Sequence, residues 1–276
     1  MKEVSIIIPA YRASRFIHEC LDSIKMQDYF KRNDSFEILV GVDGCRETWN
    51  RLKEIAPNYR NLRRFWFSEN RGPYVVRNTL AYKAEGEMLI FFDADDLMLQ
   101  GLVGWTMQHK EIQQAVIRYA FINFFEDIPV RKIRYPKSCG IFGIRKDIFK
   151  ELGGFKDWKC AADREFHVRA QYAGIRSIVS EHLLFHRRKH SGCITSQPEM
   201  SATSRMRQDY HKKIRSFRQS CQMRARRAFS VSLANLSDGT VSSSPKMRIE
   251  PVLTECSEAF MSRPQDIRDY QQYFRA

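Results

Sequence analysis

The chain has 276 residues, 43% hydrophobic and 28% charged, enough apolar material for one large globular domain or a domain with a tail. Lys and Arg outnumber Asp and Glu by 46 to 32, and the formal charge of +14 favours polyanions, anionic membrane surfaces or phosphate-bearing ligands. A membrane span is not expected, because no apolar run reaches the roughly 18 residues required and Ala115 to Phe125 is cut by Arg118.

Val4 to Pro9 is a β-branched run stopped by proline and predicts the first strand. Met1-Lys2-Glu3 leads straight into it, so no signal peptide is expected. Ala13 to Gln27 spaces Phe16, Ile17, Leu21 and Ile24 close to the helical period. A second strand is expected over Phe36 to Val42, ending on Asp43-Gly44, then a helix over Thr48 to Ile55 and a third strand over Leu62 to Phe67. Gly72-Pro73 opens a helix through Ala84, with Pro at the first helical position where its missing N–H costs nothing. Met88 to Phe92 is a fourth strand. Strand–helix alternation over the first 96 residues predicts a parallel sheet with right-handed crossovers, a nucleotide-binding type of architecture.

Beyond Leu97 the pattern loosens. A helix is expected over Leu102 to Gln114, a strand over Ala115 to Phe125 and an extended region over Ile133 to Ile144. Lys146 to Leu152 reads as a short helix ending at Gly153-Gly154, Ala161 to Ala173 as an amphipathic helix, and Ile175 to Phe185 as a strand. The character changes near Ser196: Arg205 to Arg227 is a basic, helix-like segment, Ser230 to Pro245 a small polar linker, and the last thirty residues could form one more helix. Seven cysteines, odd in number and never in C-x-x-C, read as reduced cytosolic thiols of a cytoplasmic protein.

The densest chemistry lies in Phe91-Phe92-Asp93-Ala94-Asp95-Asp96. Ligands in open α/β sheets collect at the carboxyl ends of strands, and three acids placed there repel one another unless a cation holds them. Oxygen donors select hard divalent ions such as Mg²⁺ or Mn²⁺. The alternative is an acidic turn capping the next helix.

Four segments in series resemble family 2 glycosyltransferases with the GT-A fold: Val4-Ser5-Ile6-Ile7-Ile8-Pro9-Ala10-Tyr11, Val42-Asp43-Gly44, Asn70-Arg71-Gly72-Pro73 leading to Arg77-Asn78, and Gly86-Glu87 leading to Asp93-Ala94-Asp95-Asp96. Gly153-Gly154-Phe155, followed by Ala162-Asp163-Arg164-Glu165-Phe166 and Arg169, extends the likeness. It covers residues 1–195, with a nucleotide-sugar half over about 1–100 and an acceptor half over about 101–195. Residues 196–276 form a basic, helical C-terminal extension. The resemblance implies a Rossmann-like, mostly parallel central sheet flanked by helices, and an inverting transfer of a hexose or N-acetylhexosamine from a UDP donor to a saccharide or lipid-linked saccharide, of bacterial surface-polysaccharide type.

It also implies site roles. Asp95 is the expected ligand of Mn²⁺ or Mg²⁺, which stabilises the departing diphosphate as a Lewis acid. Asp93 belongs to the same metal pair, on the donor ribose or a water held by the metal. Asp96 is a support or a helix cap. Asp43 is expected on the nucleotide base or ribose, against the reading of a simple Asp-Gly turn. Pro9, Ala10 and Tyr11 form the loop that seats the base. Gly72 lets the backbone approach a ligand, and the helix it starts points N–H groups at anions. Arg77 is either a diphosphate contact or a solvated helix arginine. Asp163 is the expected base, taking the acceptor proton; its alternative is a first-turn acid on the helix dipole, and Glu165 is a second candidate base. The chain departs from the family pattern at Ala162, where an acid commonly precedes the Asp, and before Gly44, where it has one acid rather than two.

His186, His190 and Cys193 read H-x-x-x-H-x-x-C. Three metal ligands are one reading, but structural zinc wants four; His190 near the diphosphate or metal is preferred to a basic loop. Residues 205–227 suit peripheral attachment to an anionic membrane, with a solvated helix as the alternative. No aromatic stacking motif accompanies the charges, so no nucleic acid is expected. Two rivals stand beside the transferase: a non-catalytic basic nucleotide-binding adaptor, and a sugar-1-phosphate nucleotidyltransferase, which would open on a Gly-rich phosphate loop unlike Pro9-Ala10-Tyr11-Arg12.

Overall fold

A computed structural model of the chain describes residues 2–237, apart from 113, 126, 127, 130, 131, 137 and 202. Its elements are β1 (Val4–Ala10), α1 (Ile17–Lys25), α2 (Asp28–Arg32), β2 (Phe36–Asp43), α3 (Arg46–Ile55), β3 (Leu62–Phe67), α4 (Pro73–Lys83), β4 (Met88–Phe91) and β5 (Leu97–Met98). There follow α5 (Leu102–Gln108), β6 (Ala115–Phe125), β7 (Ile128–Pro129), β8 (Phe142–Arg145), α6 (Lys146–Glu151), α7 (Ala162–Tyr172), β9 (Arg176–Lys189) and α8 (Arg205–Ser237).

One mixed sheet runs β3-β2-β1-β4-β8-β6-β9-β5, with β7 on β6. Its first four strands are parallel, as the buried aliphatic runs of β1, β2 and β4 require when helices cover both faces. From β4 onward the pairing turns antiparallel through β8 to β6, and β9 returns parallel to β6. Short β5, just past the three acids, pairs antiparallel with β9, Leu97 opposite His186. That pairing carries the chain after β9 back over the end of β4.

Two apolar layers cover the sheet. The one under α4, α6 and α7 centres on Phe91, Phe142, Phe149, Phe155 and Phe166, whose rings meet at 4.9–5.9 Å. Each such buried ring contributes about 1.5–3 kcal/mol. Helix α8 docks on α7 through Ile214, Phe217 and Cys221 against Val168, and Tyr210 stacks on Trp158 at 4.3 Å.

The sequence reading needs several adjustments. Helix α1 begins at Ile17, because Ala13 instead receives the Phe16 and Ile17 N–H groups in a turn. Helix α5 ends at Gln108, six residues early, where His109 and Lys110 tighten to three-residue bonds and the apolar spacing lapses. Of 133–144, only the last part is strand, apart from a bridge between Phe121 and Arg134. Strand β9 runs on to Lys189. Helix α8 continues through Ser237, since 230–237 carries neither Gly nor Pro, so the linker reading fails there. The rest of the expected linker and the final helix, 238–276, lie outside the described residues. Among the described residues no helix is long and apolar enough to cross a membrane.

Candidate active site

A cleft of about 700 Å³ opens at the carboxyl ends of β1, β2 and β4, walled by the start of α7 and the chain after β9. Pro9, Ala10, Tyr11, Asp43, Gly72, Arg77, Asp93, Asp95, Asp163 and His190 all line it. Ten positions spread over 182 residues are thus gathered in one place.

Asp43, 2% exposed, ends β2 and receives the backbone N–H groups of Arg71 (2.7 Å) and Gly72 (2.9 Å) on its two oxygens. Burial raises its pKa, and those two N–H groups oppose the rise. Its carboxylate therefore shapes the loop before α4. Gly72 sits at φ 90°, ψ 157°, a conformation essentially restricted to glycine, with open space where a Cβ would lie. Tyr11 stands at the rim, 41% exposed, with the Arg12 guanidinium 5.2 Å from its ring.

Arg77 is 4% exposed, so the solvated-helix reading fails. Its guanidinium pairs with Asp93, lies 5.6 Å from the Tyr74 ring, and fills the space that a side chain at position 140 would occupy. The next residue, Asn78, clamps Phe155 through both backbone groups at 2.9 Å. A Cβ at Gly154 (φ 64°) would stand 2.7 Å from the Asn78 Oδ1. The Arg-Asn pair on α4 thus fixes the acidic turn with one residue and the Gly-Gly-Phe turn with the other.

The acidic turn closes when Asp96 donates its N–H to the Asp93 carbonyl (3.3 Å). Asp96, 1% exposed, accepts the Arg188 N–H at 2.8 Å, so it supports β9 rather than capping a helix. Burial, then the charges of Asp95 and Asp93, push its pKa well above the usual carboxylate range. Burial also raises Asp93, against the pull of Arg77. Asp95 Oδ2 lies 2.9 Å from His190 Nε2. The Gly192 N–H points at His190 Nδ1 (3.1 Å), which leaves Nε2 as the donor to Asp95, and Phe16 packs on the ring at 4.6 Å. Two donor sets here suit a cation: Asp93, Asp95 and Asp96, and Asp95, His190 and Cys193, each with ligand atoms within 4.8 Å of one another. His186 joins neither set; its ring faces Phe124 at 6.2 Å.

Asp163 lies in the first turn of α7, which follows Ala161 in a left-handed conformation at φ 64°. The Tyr74 hydroxyl donates to its Oδ1 at 2.9 Å, and burial raises the phenol's pKa so that the proton stays on Tyr74. Glu165 does not line the cleft. Both its oxygens take the Arg169 guanidinium at 2.8 Å, and Arg169 also donates to the carbonyls of Leu152 and Gly154 (2.7 Å to the latter). Glu165 is therefore committed to holding α7 on the Gly-Gly turn. Arg169→Ala should destabilise the protein by about 3–5 kcal/mol, because a buried charge loses its partner; urea unfolding checks this, and a change under 1 kcal/mol would refute it.

The sequence reading passed over Tyr74, three residues before Arg77 on one helix face, although the spacing was there to see. It also passed over Arg188, whose Nε reaches the Asp95 carbonyl (3.0 Å) and whose guanidinium pairs with Glu19. Nothing in the run Arg187-Arg188-Lys189 marks which residue turns inward.

Residues 5–137 match the family model described as Glycosyl transferase family 2. The chain carries a family 2 glycosyl transferase domain. Among curated relatives, the poly(ribitol-phosphate) beta-N-acetylglucosaminyltransferase TarS of Staphylococcus aureus is 35% identical over 100 residues, 35% of this chain and 17% of that protein. A poly(ribitol-phosphate) beta-glucosyltransferase of Bacillus spizizenii is 29% identical over 154 residues, 54% of this chain and 21% of that protein. The chain thus spans only about a fifth of the length of these relatives. The crystal structure of S. aureus TarS 1-349 in complex with UDP-GlcNAc resembles this chain with a TM-score of 0.59 at 22% identity, covering 69% of this chain and 60% of that one. The shared fold is the expected GT-A architecture.

Proposed function

We propose that the chain is an inverting, divalent-cation-dependent glycosyltransferase that moves a hexose or N-acetylhexosamine from a UDP donor to a saccharide acceptor, lipid-linked or part of a cell-surface polymer. One observation carries this reading: the Asp93–Asp96 turn with His190, and Asp163, face the same cleft at the strand ends of a family 2 domain. TarS in complex with UDP-GlcNAc supports the donor class, and the poly(ribitol-phosphate) in its relatives' names supports an anionic surface polymer as acceptor.

The residues divide the work. Pro9, Ala10 and Tyr11 border the base and ribose, and Asp43 holds the Arg71-Gly72 loop against them. Arg77 holds Asp93 in place and adds positive charge on the diphosphate side of the cleft. Asp95 and His190 would hold Mn²⁺ or Mg²⁺, Asp93 assisting; the bound ion supplies Lewis-acid stabilisation of the departing diphosphate. Asp163 takes the proton from the acceptor hydroxyl as that oxygen attacks the anomeric carbon from the face opposite the leaving group. Tyr74 orients this carboxylate through one oxygen and leaves the other for the acceptor.

Helix α8 turns Ile214, Phe217 and Cys221 to α7 and leaves Arg205, Lys212, Lys213 and Arg215 exposed, which suits attachment at an anionic membrane surface. The transfer reading is tested by incubating the chain with UDP-, GDP-, CMP- and dTDP-sugars, a saccharide acceptor and Mn²⁺, and measuring nucleotide release. Release of UDP that depends on acceptor and cation is expected. No release with any combination would leave the non-catalytic adaptor as the better reading.

A further inference from the structure

We propose that Cys193 is a third protein ligand of the cation site, beside Asp95 and His190, and that the site therefore favours Co²⁺ and Zn²⁺ over Mg²⁺. This rests on the cation-dependent reading above and extends it to the donor set.

The three carboxylates of the acidic turn are not equally available. Asp93 is paired with the buried Arg77 guanidinium. Asp96 is buried and receives the Arg188 N–H. Asp95 alone turns its carboxylate toward the chain after β9, where His190 meets it at 2.9 Å. An all-oxygen triad would draw on two carboxylates that each already hold a partner through one oxygen, Arg77 on Asp93 and the Arg188 N–H on Asp96.

In the other donor set the contact given up lies mainly between its own members. The Asp95–His190 hydrogen bond opens, the ring proton shifts from Nε2 to Nδ1 at the expense of the Gly192 N–H contact, and the thiol proton is released as the ion binds. His190-Ser191-Gly192-Cys193 is a tight turn, closed by the Cys193 N–H on the His190 carbonyl (3.2 Å), and it brings the two side chains to one side. The Cys193 sulfur is held there by the His190 N–H (3.4 Å) and by the Arg188 carbonyl (3.8 Å). Donor atoms of Asp95, His190 and Cys193 lie within 4.8 Å of one another, so small side-chain movements suffice to converge on one ion. Sulfur, imidazole and a single carboxylate form a borderline-soft set that suits Zn²⁺ and Co²⁺, whereas Mg²⁺ asks for oxygens in octahedral array. Three protein ligands also leave a position open for a substrate oxygen, the arrangement of catalytic rather than structural sites.

The test adds Co²⁺ to the full chain without any nucleotide and records the near-ultraviolet thiolate-to-cobalt charge-transfer absorption, with Zn²⁺ and Mg²⁺ affinities measured by calorimetry. A charge-transfer band is expected in the wild type and in Cys139→Ser, whose thiol lines another part of the cleft, but not in Cys193→Ser. Cys193→Ser should also weaken Zn²⁺ binding about tenfold or more and leave Mg²⁺ binding unchanged, at an unchanged circular-dichroism spectrum. A wild-type band and Zn²⁺ affinity in Cys193→Ser would overturn the proposal, as would a band that survives both Asp95→Ala and His190→Ala. The two readings fail separately. Mn²⁺-dependent UDP release with no thiolate band would refute the ligand while keeping the transferase; a Cys193-dependent band with no donor turnover would do the reverse.

Discussion

Replacing Asp163 by Asn should lower sugar transfer by about 10²–10⁴-fold, the contribution of a positioned general base, while donor affinity stays at the wild-type level. The substitution isolates the proton acceptor from the fold. An amide oxygen can still accept the Tyr74 hydroxyl, whose 2.9 Å bond orients the side chain, and the helix behind it is held independently by Glu165 and Arg169. The decisive comparison is the rate of UDP release at saturating acceptor against donor affinity by calorimetry. Near-wild-type turnover would remove Asp163 from the reaction. Equal losses of turnover and donor affinity would make it a donor contact instead of a base.

Asp95→Ala should produce the opposite pattern, in which donor and cation no longer support one another. A ligand at about 100 times its Kd adds roughly 2.7 kcal/mol to stability, which for a domain of this size is about 5–10 °C in Tm. That shift is expected for the wild type with UDP and Mn²⁺ together, and should vanish in Asp95→Ala. The fold itself should tolerate the change. The Asp95 side chain is half-buried and its carboxylate bonds only His190 among the described residues, unlike Asp96, which anchors β9 from beneath. A variant that keeps the full Mn²⁺-dependent shift would show that another residue binds the cation.

The two halves of the domain were unequally legible. Strands β1 to β4 and helix α4 followed from local signals: continuous aliphatic runs, a proline at the first helical turn, a glycine before it. In the second half, β5 is two residues long and exists only because β9 lies alongside, and the length of β9 is set by pairing with β6 across more than fifty positions. No local pattern encodes such partners. The candidate site followed the same division. Its positions could be read because each stands at the end of a recognisable strand or turn. Their partners could not. The Asp43 clamp on the Arg71-Gly72 loop, the Arg77–Asp93 pair and the removal of Glu165 into a buried ion pair all depend on which side chains the fold turns toward one another. His190 is the extreme case: 95 residues separate it from Asp95, and the β5–β9 pairing closes the distance.

The left-handed alanine before α7 bears on how this protein could be engineered. Gly-to-Ala replacement is a standard route to a more stable protein because it restricts the unfolded chain. At Ala161 the rule inverts: the buried Cβ occupies a conformation that costs an L-residue about 1–2 kcal/mol, so glycine is the residue the backbone prefers. The alanine persists because the contacts around α7 over-determine the turn. A stability screen would find Ala161→Gly, and the gain would come with a looser hinge directly before the carboxylate that the reaction needs held still.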